Sequence, residues 1–147
     1  MTSEHGRFMA AGGPEYLVEL PHGYTYSAHP VACAAALATL DVLEKEHAID
    51  RVKELAPYFE NAVHGLKGRK YLTDIRNYGL AAGLTIDALP GKPAKRPYEI
   101  AMHCWDNGFY VRYGGDAIAL APPFITEKPE IDRLIGAVDD ALRALSA

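Results

Sequence analysis

Pro30 opens a run of small and apolar residues, Pro30-Val31-Ala32-Cys33-Ala34-Ala35-Ala36-Leu37-Ala38-Thr39-Leu40, directly after the turn-forming string His22-Gly23-Tyr24-Thr25-Tyr26-Ser27-Ala28-His29. Proline suits the first helical position, where its missing N–H costs nothing, so the start of a helix is fixed here. Val31, Cys33, Ala34, Leu37, Leu40 and Leu43 recur at helical spacing, and the helix is expected to run to about Glu46. Its alanine-rich surface lets another backbone approach closely, as a helix deep in a domain or subunit contact needs. A turn feeding a helix also exposes unpaired N–H groups at the positive end of the helix dipole. The hydroxyls of Thr25 and Ser27 beside it suit an anion site. The same hydroxyls serve equally well as simple helix caps, the commoner role for such residues.

The chain has 147 residues, enough for one ordinary domain with its own core and too few for two large ones. A net charge of −4 gives no electrostatic attraction to nucleic acid or to anionic lipid, so small-molecule or protein partners are expected. The apolar stretch from Pro30 to Leu43 is too short and too polar for a membrane span, and no cationic start followed by an apolar stretch marks a secretory signal in this sequence. Cys33 and Cys104 lie far apart without CxxC spacing, which argues against a disulfide or metal framework and leaves the cytoplasm as the default compartment.

Beyond the helix the pattern alternates. Met1 to Pro14 reads as a loop or mobile end, and Glu15 to Leu20 as a short extended piece stopped by Pro21. A second helix, about Ile49 to Leu66, places Val52, Leu55, Phe59, Val63 and Leu66 on one stripe, with Pro57 expected to kink it. Strands at Leu72–Arg76 and Ala81–Ile86 are split by Asn77-Tyr78-Gly79. A third helix, about Tyr98 to Asn107, ends at Gly108, a left-handed cap. Strands at Phe109–Tyr113 and Ala117–Ala121 turn at Gly114-Gly115-Asp116. The last helix, about Pro129 to Leu145, aligns Ile131, Leu134, Ile135, Val138, Leu142 and Leu145. From about residue 46 onward this order makes a compact α+β unit.

Metal chemistry finds little footing. His22 and His29 flank one turn with no carboxylate or thiolate at ligand spacing, and adjacent His103 and Cys104 point in different directions on a helix. Gly114-Gly115 lacks the lysine and helix of a phosphate loop.

Two strings carry a resemblance. His22-Gly23-Tyr24-Thr25-Tyr26-Ser27-Ala28-His29-Pro30 with the alanine run, and Gly108-Phe109-Tyr110-Val111-Arg112-Tyr113-Gly114-Gly115-Asp116, resemble segments of the class III aminotransferases, nearest to the omega-amino-acid:pyruvate group. These are fold type I enzymes dependent on pyridoxal 5'-phosphate. The resemblance covers about Gly13 to Ala147 and matches the C-terminal third or so of a family subunit. It implies that residues 1–45 close the large cofactor-binding domain and supply the interdomain helix, and that residues 46–147 form the C-terminal α+β small domain.

The resemblance also assigns roles. Thr25 stands where the family threonine reaches across a dimer interface to the phosphate of the partner subunit's cofactor, and Tyr24 lines the same pocket or offers its N–H. Arg112 stands where an arginine grips the substrate carboxylate, a task for which the planar guanidinium fork is well matched. Pairing with Asp116 or Asp74 is the plainer alternative. Ala119 occupies a substrate-facing position where relatives can carry a polar side chain. Transamination needs a lysine to hold the cofactor and move the proton, plus an acid at the pyridine nitrogen. None of Lys45, Lys53, Lys67, Lys70, Lys92, Lys95 and Lys128 lies in a string like the family's lysine segment. The chain is therefore expected to be an inactive piece of a homodimeric or tetrameric enzyme, with no catalytic residue of its own, acting on an amino donor and a keto acid. The other readings are a non-catalytic α+β interaction module and a class III enzyme of the ornithine, GABA or diaminopelargonate type.

Overall fold

The computed structural model of the chain describes residues 25–146. The extended piece at Glu15 to Leu20, His22 and Tyr24 lie outside the described residues. The chain divides into two compact units, Met1–Thr39 and Leu40–Ala147.

In the first unit, residues 25–28 form a turn in which Ala28 takes a left-handed φ of 62°. Helix α1, Pro30–Lys45, follows as the sequence anticipates, its first ladder bond running from the Cys33 N–H to the His29 carbonyl. The helix crosses the boundary between units and buries none of its side chains. Thr39 bonds back to the Ala35 carbonyl at 2.9 Å, so its hydroxyl is satisfied within the helix.

The second unit is the α+β body. Helix α2, Ala48–His64, is followed by strands β1, Leu72–Tyr78, and β2, Ala81–Ile86. Helix α3, Lys95–Asp106, strands β3, Arg112–Gly114, and β4, Ala117–Leu120, and helix α4, Lys128–Ser146, complete it. Pro57 sits inside α2. Helix α3 begins three residues before the expected start, which places Pro97 in its first turn, where no ladder N–H is needed. Gly108 closes it with φ +85°, a conformation strained for any residue with a Cβ.

The first strand of each hairpin runs past its expected end, β1 by two residues and β3 by one. Strand β1 continues through Tyr78, so Gly79 (φ +55°) and Leu80 make the first turn, while Gly115 (φ +58°) and Asp116 make the second. The two hairpins join edge to edge, β2 pairing with β4, into one antiparallel sheet of order β1-β2-β4-β3. Side chains alternate across the sheet, so Ala82, Leu84, Ile86, Ile118 and Leu120 are buried on one face with Phe59, Val63, Ile100, Ile131 and Val138 of the helices. Ala137 and Ala141 widen the α4 stripe beyond the large apolar residues that mark it in the sequence. Polar ties brace the helices: Tyr58 donates to Asp132 at 2.6 Å, and Arg69 forks onto Asp139, which Arg143 also meets at 2.9 Å. The opposite sheet face carries no helix of this unit, and the site residues of β3 and β4 lie there.

Candidate functional site

Arg112 opens β3, the edge strand, and is register partner to Ala119 in β4. Facing residues in an antiparallel pair project to the same side. Ile118 is fully buried and Ala119 exposed, so Arg112 shares the open face with Ala119, while the neighbouring Tyr113 turns toward α3 and meets Tyr98 edge-on at 5.6 Å between ring centres. Two hairpin-end glycines, Gly114 and Gly115, let the strand reverse immediately beyond the arginine. Arg112 is exposed and has neither an ion pair nor a hydrogen bond with any described residue. Of the two acids weighed as structural partners, Asp74 is engaged by Arg76 at 3.2 Å, and Asp116 forms no ion pair among the described residues. A guanidinium left unpaired on an open face keeps its full hydrogen-bonding fork for an incoming carboxylate.

The wall beside Arg112 is aromatic. Ala101, Met102 and Trp105 of α3, with Tyr110 and Val111 ahead of the edge strand and Arg112 and Tyr113 within it, enclose a cleft of about 500 Å³, in which Trp105 and Tyr110 meet edge-on at 6.3 Å. Apolar walls beside a cation lower the local dielectric and strengthen its hold on an anion.

Thr25 belongs to the other unit. It is exposed in the turn ahead of α1, and neither its hydroxyl nor that of Ser27 has a hydrogen-bond partner among the described residues. The capping alternative therefore gives no account of them: the α1 ladder begins at the His29 carbonyl without a hydroxyl cap. Tyr24 lies outside the described residues.

All seven lysines are exposed. Lys53 pairs with Asp50 at 2.8 Å and Lys95 with Glu99 at 2.6 Å, while Lys70 and Lys128 stand over the rings of Tyr71 and Tyr58. No group of three or more potential metal ligands occurs among the described residues, and no helix there is long and apolar enough to cross a membrane.

The family model for aminotransferase class III matches residues 3–142. The chain belongs to the class III aminotransferases. It is 50% identical to the omega-amino acid–pyruvate aminotransferase of Pseudomonas putida over 144 residues, which is 98% of this chain and 32% of that enzyme. It is likewise 50% identical to the beta-alanine–pyruvate aminotransferase of Pseudomonas aeruginosa over 139 residues, 95% of this chain and 31% of that one. Among solved structures, the PMP-bound aminotransferase from Vibrio fluvialis superposes with a TM-score of 0.73 at 31% identity, covering 87% of this chain and 30% of that one. This class III chain thus spans about a third of the length of the relatives it matches.

One residue of the open face was not singled out from the sequence. Arg76 of β1 stands in the same cross-strand row as Arg112, through Gly83 and Ala119. That row exists only because β2 pairs with β4, and no local signal in either hairpin specifies the pairing.

Proposed function

We propose that this chain is the C-terminal part of an omega-amino-acid:pyruvate aminotransferase, an enzyme that moves the amino group of an amine or omega-amino acid to pyruvate to give alanine and for which pyridoxal 5'-phosphate would be the cofactor. The observation that carries the reading is the 50% identity to the two pyruvate-linked enzymes over nearly the whole chain, through both strings that hold the site residues. Residues 1–45 then close the large domain and residues 46–147 form the small domain.

The described residues fit one end of the cofactor and not the other. Thr25 offers a free hydroxyl just ahead of a helix start, suited to a phosphate oxygen, and Tyr24 precedes it. Every lysine is exposed, and none lies in a string like the family's lysine segment, so covalent attachment of the cofactor is not assigned to any lysine of this chain. When bound, pyridoxal phosphate supplies the electron sink for amino transfer. What this chain contributes is binding and orientation. Arg112 takes the substrate carboxylate through two parallel N–H···O bonds, fixing the direction of the carbon to be aminated, and Ala119 opposite leaves room for that substrate. Thr25 would donate to the phosphate of a cofactor held by the partner subunit of a homodimer or tetramer.

The reading is tested by grafting. A chimera in which this chain replaces the matching third of the Pseudomonas putida enzyme is expected to form alanine from β-alanine and pyruvate, whereas the free chain with pyridoxal phosphate, amine and pyruvate forms none. A folded chimera that is inactive with pyruvate but active with 2-oxoglutarate contradicts it, as does alanine formation by the free chain.

A further inference from the structure

Arg112 stands on the shortest strand of the sheet. Strand β3 has three residues, pairs with β4 on one side only, and follows residues 109–111, which lie outside the ladder. The register pairs of Arg112 with Ala119, Tyr113 with Ile118 and Gly114 with Ala117 are all that the sheet contributes to holding the arginine's backbone. The remaining ties of this segment run to α3.

Two ring pairs make those ties, one on each side of the arginine. Trp105 meets Tyr110, two residues before Arg112, at 6.3 Å between ring centres and 82° between planes, and Tyr98 meets Tyr113, the residue after it, at 5.6 Å and 73°. Both are edge-to-face contacts, in which the positive rim of one ring meets the negative face of the other, so they resist rotation as well as separation. Tyr98 and Trp105 are two helical turns apart on α3, about 10.5 Å along its axis. Tyr110 and Tyr113 are about 10 Å apart along an extended chain running the opposite way. The two spacings match, so both pairs form together and the segment cannot slide along the helix without losing them. Between them the Phe109 N–H donates to the Cys104 carbonyl at 2.9 Å and Val111 is buried in the core.

We propose that Tyr98 and Trp105 are positioning residues for Arg112: through Tyr113 and Tyr110 they hold the edge strand against α3 and so set where the guanidinium meets the substrate carboxylate. This rests on the carboxylate role of Arg112 given above. A binding group displaced by about 1 Å can cost up to about 100-fold. Loss of one ring pair while the other and the ladder remain corresponds to a smaller effect, about five-fold.

The test is steady-state kinetics of the chimera with the Pseudomonas putida enzyme, with β-alanine and an amine without a carboxylate as alternative donors to pyruvate. Tyr98→Leu and Trp105→Leu are each expected to raise the KM for β-alanine about five-fold relative to that for the plain amine. Tyr98→Phe and Trp105→Phe, which keep a ring, are expected to restore most of the native ratio. Tyr110→Leu breaks the second ring pair from the strand side at a position outside the core, where folding is not at stake. It is expected to match Trp105→Leu, with no further shift when the two are combined. In an Arg112→Gln background none of these Leu substitutions is expected to move the ratio. A ratio that the Leu variants leave unchanged, or a shift that persists once Arg112 is replaced, overturns the proposal. If Arg112→Gln itself leaves the ratio unchanged, the reading on which the proposal rests fails instead.

Discussion

Arg112 and Ala119 stand directly opposite each other across the β3–β4 hairpin, on the sheet face away from the helices. The pairing puts an unpaired guanidinium beside a methyl group, so the space that a larger cross-strand neighbour would fill stays open for a ligand. One residue earlier in β4 the environment inverts, because Ile118 is fully buried in the core.

That inversion sets the mutational response of two adjacent residues. Ile118→Val is expected to cost about 0.5–1.5 kcal/mol through lost packing. Ala119→Val on the open face is expected to stay within about 0.5 kcal/mol. Urea unfolding of the chain measures both, and equal costs would mean that the sheet register is wrong.

Asp139 on α4 is held below the ordinary carboxylate range, chiefly by the hydrogen bond from Arg69, with Arg143 adding to it against the cost of partial burial. A depressed folded-state value means that the stabilisation is fully present above the unfolded carboxylate value of about 4. It is lost as pH falls through the lower, folded-state value. Asp139→Asn is therefore expected to destabilise the chain by about 1 kcal/mol near neutrality, a figure reduced for partial exposure, and by progressively less below about pH 4. Denaturant unfolding across that range checks the sign; a cost that grows on acidification would contradict it.

The two cysteines should separate kinetically. Burial pushes the Cys104 thiol up to about 11 and leaves no access to it, whereas Cys33 is exposed on α1. A thiol reagent at pH 8 is expected to label one cysteine per native chain and two in denaturant. Rapid labelling of both in the native chain would place Cys104 outside the core.

Much of this architecture is legible from local chemistry. The stripe of Leu55, Phe59 and Val63 gives α2, Gly108 gives the end of α3, and Gly115 gives the second turn within one residue. What escapes is non-local. Nothing in either hairpin says that β2 pairs with β4, so the row joining Arg76 to Arg112 could not be read from the sequence. Turn position also shifted, because Leu80 finds a buried place after Gly79 that hairpin chemistry alone does not foresee. For the site, Arg112 and Thr25 stand out in the sequence only through family strings. The structure adds that Arg112 has no partner among the described residues and that Thr25 and Ser27 leave α1 without a hydroxyl cap.

The central claim is that Arg112 binds the substrate carboxylate. Its most direct test is the kinetics of Arg112→Gln in the chimera with the Pseudomonas putida enzyme, using β-alanine and an amine without a carboxylate as alternative donors. Loss of a charge-assisted, two-pronged contact is expected to raise the KM for β-alanine and for pyruvate about 10- to 100-fold while leaving the KM for the plain amine nearly unchanged. An equal effect on both donors, or none on either, would contradict the assignment.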